Sequence, residues 1–190
     1  MSETRLSNDE RKLLLRLARE AIEAAVNDGP LPVLDSEALP ANLRELGASF
    51  VTLTEDGELR GCIGALEAYQ PLAEDVREHA AAAAQEDFRF YPVRPKEVAH
   101  IQIEISRLTQ PQPLDYDSTE DLLSKLRPGV DGVILRDGLR RATFLPQVWE
   151  KLPDREEFLS HLCAKMGAAE NTWRKKKLTV LTYQVEEFHE

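Results

Sequence analysis

The chain has few cysteines, no long apolar run and no surplus of positive charge. Only Cys62 and Cys163 occur among its 190 residues, which argues against a disulfide scaffold and is typical of a protein kept reduced. No segment approaches the ~20 apolar residues of a membrane-spanning helix. The first dozen positions carry charges throughout and lack the apolar core of a signal peptide. We therefore expect a soluble, cytoplasmic protein with no membrane partner.

The charge balance weighs against a nucleic-acid partner. Lysine and arginine number 24 against 34 aspartates and glutamates, which gives a net charge of −10. Such a field repels phosphate backbones, whereas nucleic-acid affinity depends on neutralising phosphates with basic residues. The one compact basic run, Arg174–Lys177, is only four residues long and is interpreted as a solvated turn before a strand. We expect no nucleic-acid binding.

Motifs for known cofactors are also missing. The sequence contains no phosphate-binding loop, no dinucleotide fingerprint and no nucleophile elbow. A metal site built from Cys62, Cys163 and His161 would need a fourth ligand or a water, and the spacing of these residues matches no metal motif. The sequence therefore names no cofactor and predicts no metal site.

Length and pattern predict one α+β domain over residues 1–190, with its core at about 8–188. A chain of this size, with 42% apolar residues, is an ordinary globular domain. Hairpin signals are mixed with helical stretches and do not alternate regularly with them. This order favours a mixed or antiparallel sheet of hairpins flanked by helices, alone or with a smaller lobe.

Local patterns predict most of the elements. Ser7 and Glu10 form a capping box that starts a helix near residue 8. The dipeptides Asp56-Gly57 and Asp137-Gly138 each separate strand-like runs and predict two hairpins, because both turn residues can take positive φ. The other predicted elements are a helix with Pro71 at its first position that ends near Gln85, a half-buried strand at Ile101–Ser106, helices at Ser118–Leu126, Pro146–Trp149 and Asp154–Met166, and a closing strand at Leu181–Val185.

The segment Arg60-Gly61-Cys62-Ile63-Gly64 is the strongest candidate for a functional site. In an extended strand, side chains two positions apart share a face. Leu59 and Ile63 are therefore expected to face the core. Arg60 and Cys62 would then lie together on the opposite face, with their Cα atoms roughly 6.5 Å apart.

Two readings of this strand remain open. Arg60 would favour the thiolate form of Cys62 where water is partly excluded, whereas the alternative is a small buried cysteine that packs as a hydrophobic residue. Gly61 and Gly64 weaken a strand, which indicates a bulge or the close approach of a ligand or another backbone. Both glycines are therefore candidate binding residues.

The hexapeptide Leu59–Gly64 resembles the signature of the AMMECR family. Three further stretches fit the pattern of that family in the right order, namely Asp87–Pro92, Ala142–Pro146 and Phe158–Cys163. The resemblance covers about residues 8 to 188. It implies an α+β fold with a cleft near the hexapeptide, and it leaves the reaction undefined.

The bacterial and archaeal members of the family imply particular partners. They are components of the AmmeMemoRadiSam system, together with a Memo-like protein and a radical S-adenosylmethionine protein. One hypothesis is an enzyme or enzyme component that uses Cys62 as a thiolate, with Arg60 as its activator or as an anion anchor. The other is a non-catalytic binding or assembly module that presents the cleft to a small anionic ligand or to one of these proteins.

Four other residues complete the candidate site. Asp87 and Arg89 form either a surface ion pair or a contact to an anion or partner in the cleft. Thr143 offers a hydroxyl on the second hairpin, although an ordinary strand threonine would fit the same pattern. His161 is the one histidine considered as a candidate acid or base. Cys163 falls on an apolar helical stripe and is expected to be packed.

Overall fold

A computed structural model describes residues 5–190 of the chain. The chain separates into two compact units, of which the first runs to Thr109 and includes Glu186–Glu190, and the second is Gln110–Val185. Each unit contains an antiparallel sheet and helices, so the predicted α+β class is confirmed. Within residues 5–190, every helix is either too short or too polar to cross a membrane.

The elements are numbered in chain order. The helices are α1 (Asn8–Val26), α2 (Ala41–Arg44), α3 (Leu72–Gln85), α4 (Thr119–Lys125), α5 (Arg155–Lys165) and α6 (Thr172–Lys175). The strands are β1 (Leu46–Glu55), β2 (Glu58–Gly64), β3 (Gln70–Pro71), β4 (Ile101–Leu108), β5 (Gln112–Pro113), β6 (Gly132–Asp137), β7 (Arg140–Phe144), β8 (Thr179–Tyr183) and β9 (Val185–His189). Short 3-10 turns occur at Val98–His100 and Pro146–Glu150.

The first unit is a sheet in the order β2-β1-β4-β9, with β3 paired to the start of β1. Strand β4 presents Ile101, Ile103 and Ile105 to the core, as predicted. The predicted polar face of this strand is only partly exposed to solvent, because Ser106 is buried. The core lies between this sheet and helices α1 and α3, with buried members that include Leu14, Ile22, Val51, Leu53, Val76, Ala80 and Ala83.

Local signals set the first helix and the first hairpin. The Ser7 side chain accepts from the Glu10 backbone and the Glu10 side chain accepts from the Ser7 backbone, which confirms the capping box. Asp56 and Gly57 have φ values of 53° and 83°, as a tight hairpin turn requires. The position predicted for Pro71 is wrong. This residue pairs with Leu46 in β3 and precedes the helix as its N-cap, with ψ of 141°.

The second unit is a sheet in the order β5-β8-β6-β7. Its core includes Trp149 stacked on Phe158 with ring centroids 3.6 Å apart, and fully buried Cys163. Asp154 caps α5 by accepting from two backbone N–H groups, as predicted. The second predicted hairpin is present, but its turn consists of Gly138 and Leu139, and only Gly138 has positive φ.

Two predicted segments differ from the structure. The closing strand is divided at Gln184 into β8 and β9, which belong to different sheets. The basic run is not a simple turn, because α6 occupies part of it and buried Trp173 anchors that helix. Arg174 forms an ion pair with Glu156.

Candidate functional site

Strand β2 contains a bulge at the candidate segment. Leu53 pairs with Gly61 and the next residue of β1 pairs with Leu59, so Arg60 is the extra residue. A bulge breaks the alternation of faces on which the sequence prediction relied. Leu59 is consequently 43% exposed, and its predicted core position is wrong. Ile63 packs against the core as expected.

The two glycines make room for the protein's own chain. A Cβ on Gly61 would lie well under 3.0 Å from the carbonyl oxygen of Ala83 in α3. A Cβ on Gly64 would clash in the same way with the Phe50 ring and the Ser49 carbonyl. The predicted bulge and the close backbone approach are therefore both present. The space beside the glycines is filled by protein atoms.

The segment that follows α3 is hydrogen-bonded to the free edge of β2 at Cys62. Asp87 Oδ2 accepts from the Cys62 backbone N–H at 2.8 Å, and Arg89 Nη2 donates to the Cys62 carbonyl at 3.2 Å. Arg89 also holds the Asp87 carboxylate, with its Nε 2.9 Å from Oδ1 and its Nη2 2.6 Å from Oδ2. This clamp satisfies edge groups that would otherwise need water or another strand.

The clamp is not a simple surface ion pair. Asp87 is only 4% exposed, whereas the Arg89 side chain is 46% exposed. The hydrogen bond from Arg89 holds the pKa of Asp87 well below its usual range against the opposing effect of burial, and the Cys62 N–H lowers it further. The pKa of Arg89 is raised by the same pairing.

Cys62 and Arg60 have different surroundings. The Cys62 sulfur is half-buried and accepts from Thr52 Oγ1 at 3.3 Å, whereas Arg89 contacts the Cys62 backbone carbonyl. Arg60 donates from Nε to Glu97 Oε1 at 3.0 Å and from Nη1 to the Tyr91 carbonyl at 2.8 Å. Arg60 thus binds the segment at residues 91–97, and Arg89 contacts Cys62.

A cleft of about 580 Å³ opens beside this network within the first unit. Four of its lining residues are cationic and two carry carboxylates, which gives the lining a net positive charge. Arg60 is held by Glu97, but Arg94 and Lys96 are exposed and form no ion pair within residues 5–190. The lining residues are Glu55, Arg60, Arg89, Phe90, Tyr91, Pro92, Arg94, Lys96 and Glu97.

Sequence reasoning overlooked the residues of this cleft beyond Arg60 and Arg89. The available signal was the interleaving of aromatic and basic residues from Phe88 to Lys96. Proline residues in the same stretch hide it, because they break any strand or helix period. Glu97 carries no signal of its own, and its role depends on a contact 37 positions away in the chain.

A buried polar cluster under α3 was also missed. Ser49 Oγ donates to Asp75 Oδ2 at 2.6 Å, and His79 Nδ1 lies 3.1 Å from the same oxygen. The aspartate lies between the other two side chains, so the order of a nucleophile triad, in which histidine contacts serine, is not present. The cluster ties α3 to β1.

The other candidate residues belong to the second unit. The Thr143 hydroxyl lies 3.0 Å from the Tyr183 hydroxyl, and the Thr143 carbonyl accepts from Lys165. His161 is exposed on α5. Burial raises the pKa of the Cys163 thiol. No group of three metal-ligating side chains occurs within the part of the chain described here.

Comparison with known proteins finds relatives that match over nearly the whole chain. The AMMECR1 family model matches residues 15–188. A protein of Thermofilum pendens is 41% identical, covering 98% of this chain and 92% of its own length. One of Methanothermobacter thermautotrophicus is 40% identical, covering 97% and 96%. The crystal structure of uncharacterized protein PH0010 from Pyrococcus horikoshii has a TM-score of 0.77 at 32% identity, covering 97% and 93%.

Proposed function

The chain belongs to the AMMECR1 family, and from that premise we propose that it is a cytoplasmic component of an AmmeMemoRadiSam-type system, corresponding to protein A, which binds a small anionic ligand. The ligand occupies the cleft beside the hexapeptide Leu59–Gly64. A Memo-like protein and a radical S-adenosylmethionine protein are the proposed partners. Both cysteines are free thiols, which suits a reducing compartment.

The observation that carries this proposal is a pair of exposed cations, Arg94 and Lys96, that line the cleft and form no ion pair within residues 5–190. The chain as a whole has a net charge of −10, and the locally positive lining of the cleft would draw anions to this part of the surface. Arg60 and Arg89 form ion pairs with Glu97 and Asp87, respectively, and contribute to the wall of the cleft. Arg94 and Lys96 remain free to donate to carboxylate or phosphate oxygens.

Binding is favoured over catalysis by the surroundings of Cys62. Its sulfur accepts from the Thr52 hydroxyl, and that side chain is not a general base. Cys62 is also not among the residues that line the cleft. We therefore assign the hexapeptide a structural role, in which it fixes the wall of the ligand site, and we assign no reaction.

Calorimetric titration with pyrophosphate tests the proposal. The parent protein is expected to bind it at low ionic strength and more weakly as salt is added. The double variant Arg94→Ala/Lys96→Ala is expected to lose at least about tenfold in affinity, the equivalent of roughly 1.4 kcal/mol. The control Lys12→Ala/Arg16→Ala removes the same charge from exposed positions on α1. Equal losses in the two double variants, or no binding by the parent, would refute the proposal.

A second function, as an assembly module, is favoured by one further observation. Phe88 and Tyr91 are 94% and 88% exposed, although the backbone around them is fixed by Asp87 and Arg60. Exposed aromatic side chains on a well-held backbone are suited to anchor a protein interface.

Phe88 separates this function from ligand binding, because it does not line the cleft. If the module docks a Memo-like or radical S-adenosylmethionine protein, Phe88→Ala should abolish co-purification of the co-expressed partner. Leu139→Ala, at a fully exposed leucine of the second unit, should retain it. Retention by both variants would exclude this surface as the interface.

A further inference from the structure

Tyr91 offers the cleft an aromatic residue on a fixed backbone. It is 88% exposed and lines the cleft. Its carbonyl accepts from Arg60 Nη1 at 2.8 Å, and the next carbonyl, of Pro92, accepts from Nη2 at 3.4 Å. The backbone that carries the ring is therefore held at two successive residues. A ring on this backbone is accessible for stacking on a planar ligand.

Two cations, Arg94 and Lys96, follow Tyr91 in a turn over residues 94–97. Arg94 N–H donates to Glu97 Oε2 at 2.8 Å, and the Glu97 N–H donates back to the Arg94 carbonyl at 2.9 Å. The turn is thereby closed, and it places Arg94 and Lys96 on the lining of the cleft. A guanidinium fork beside an ammonium group suits a phosphate or diphosphate, whose oxygens accept from both.

Glu55 adds an acceptor to a site that is otherwise cationic. It lines the cleft, and its side chain has no hydrogen-bond or ion-pair partner within residues 5–190. This carboxylate would weaken, without preventing, the binding of a simple inorganic anion. A ligand that also carries hydroxyl or amino donors would instead be bound by it, as the acidic residue of dinucleotide-binding folds binds ribose hydroxyls.

We propose that the ligand of this cleft is a mononucleotide, with its phosphates at Arg94 and Lys96, its base stacked on Tyr91 and its donor groups directed to Glu55. The proposal rests on the proposed function, because it specifies the anion that the cleft binds. A volume of about 580 Å³ is within the roughly 300–1,000 Å³ range of small-molecule sites. A longer nucleic acid is disfavoured, because the remaining surface of a chain with net charge −10 repels further phosphates.

Calorimetry with ADP and pyrophosphate tests this assignment on the full-length protein. ADP is expected to bind about tenfold or more tightly than pyrophosphate, since stacking of one base on an aromatic side chain contributes a factor of that order. Tyr91→Leu should remove this advantage and leave the affinity for pyrophosphate unchanged, whereas Tyr91→Phe should retain it. Arg94→Ala/Lys96→Ala should weaken ADP and pyrophosphate alike.

The outcomes separate this inference from the proposed function. If pyrophosphate binds and ADP binds no more tightly, the nucleotide assignment is wrong while the anion site stands. An ADP preference that survives Tyr91→Leu would likewise refute stacking on Tyr91. If neither ligand binds the parent protein at low salt, both proposals fail. Only an ADP preference that depends on Tyr91 and on the two cations supports the assignment.

Discussion

Replacement of Asp87 by alanine would test whether the clamp on Cys62 holds the cleft wall in place. The substitution removes four contacts, from the Cys62 N–H at 2.8 Å, the Arg89 N–H at 3.1 Å, and Arg89 Nε and Nη2 at 2.9 and 2.6 Å. It leaves the Cys62 N–H, at the edge of β2, without a hydrogen-bond acceptor. The side chains that line the cleft are all retained.

The expected loss of stability is about 2–4 kcal/mol. Removing one partner from a buried ion pair costs about 3–5 kcal/mol when the other charge stays buried. Here the Arg89 side chain is 46% exposed and returns to water, so the full penalty does not apply. The remaining cost comes from the Cys62 N–H, because a buried donor left without a partner costs about 1–3 kcal/mol, and from the charge-assisted bonds to the carboxylate.

The effect should also depend on pH. Asp87 has a lowered pKa in the folded protein, so below about pH 4, the range of an unfolded aspartate, the unfolded state binds more protons than the folded state. The stabilisation from Asp87 is therefore complete above that pH and declines as the pH falls further. Stabilities of the parent protein and Asp87→Ala should approach each other as the pH falls below about 4 and through the lowered pKa of Asp87.

Chemical denaturation and amide hydrogen exchange measure these effects. Asp87→Ala should lower the unfolding midpoint and accelerate exchange at the Cys62 amide more than at the buried amides of β1. Asp121→Ala provides a matched control, because Asp121 also pairs with a cation, Lys125, but on the exposed surface of α4. An Asp87 variant as stable as the control, with unchanged exchange at Cys62, would refute the clamp.

Three further predictions concern close packing, the accessibility of the two thiols and a buried hydrogen bond. Gly61→Ala should destabilise the protein by about 1–3 kcal/mol in denaturation, because the added Cβ meets a backbone carbonyl. Gly29→Ala should be tolerated, because its nearest contact is at 3.4 Å. Equal effects of the two substitutions would contradict the close packing at Gly61. Iodoacetamide should modify half-buried Cys62 in the native protein and fully buried Cys163 only after unfolding, and mass spectrometry showing both modified at once would contradict this. Ser49→Ala should cost about 1–3 kcal/mol in the same denaturation assay, because a buried carboxyl loses a donor at 2.6 Å, and an unchanged midpoint would show that the bond contributes nothing.

Features of the fold that depend on neighbouring residues could be predicted from the sequence. The capping box at Ser7 and the turn at Asp56-Gly57 act within a few positions, and both are present. The final strands were harder, because the alternation of polar and apolar residues continues across Gln184. Nothing local shows that the chain changes sheets there.

The sequence predicted a segment for the candidate site, but it did not predict the contacts that this segment makes. The bulge at Arg60 arises from pairing with β1, and a strand considered alone cannot reveal it. The partners of the hexapeptide, Asp87 and Glu97, lie 25 and 37 positions beyond the residues they bind. Such contacts are set by the tertiary fold.

Amide chemical-shift mapping with pyrophosphate tests the central claim most directly, since it shows which part of the chain the anion contacts. We expect the largest changes at residues 89–97 and at Arg60, with smaller changes elsewhere in the first unit. Arg94→Ala/Lys96→Ala should abolish them at the same concentrations. Shifts that are absent from residues 89–97, or that are largest within residues 110–185, would contradict the claim that this cleft binds anions.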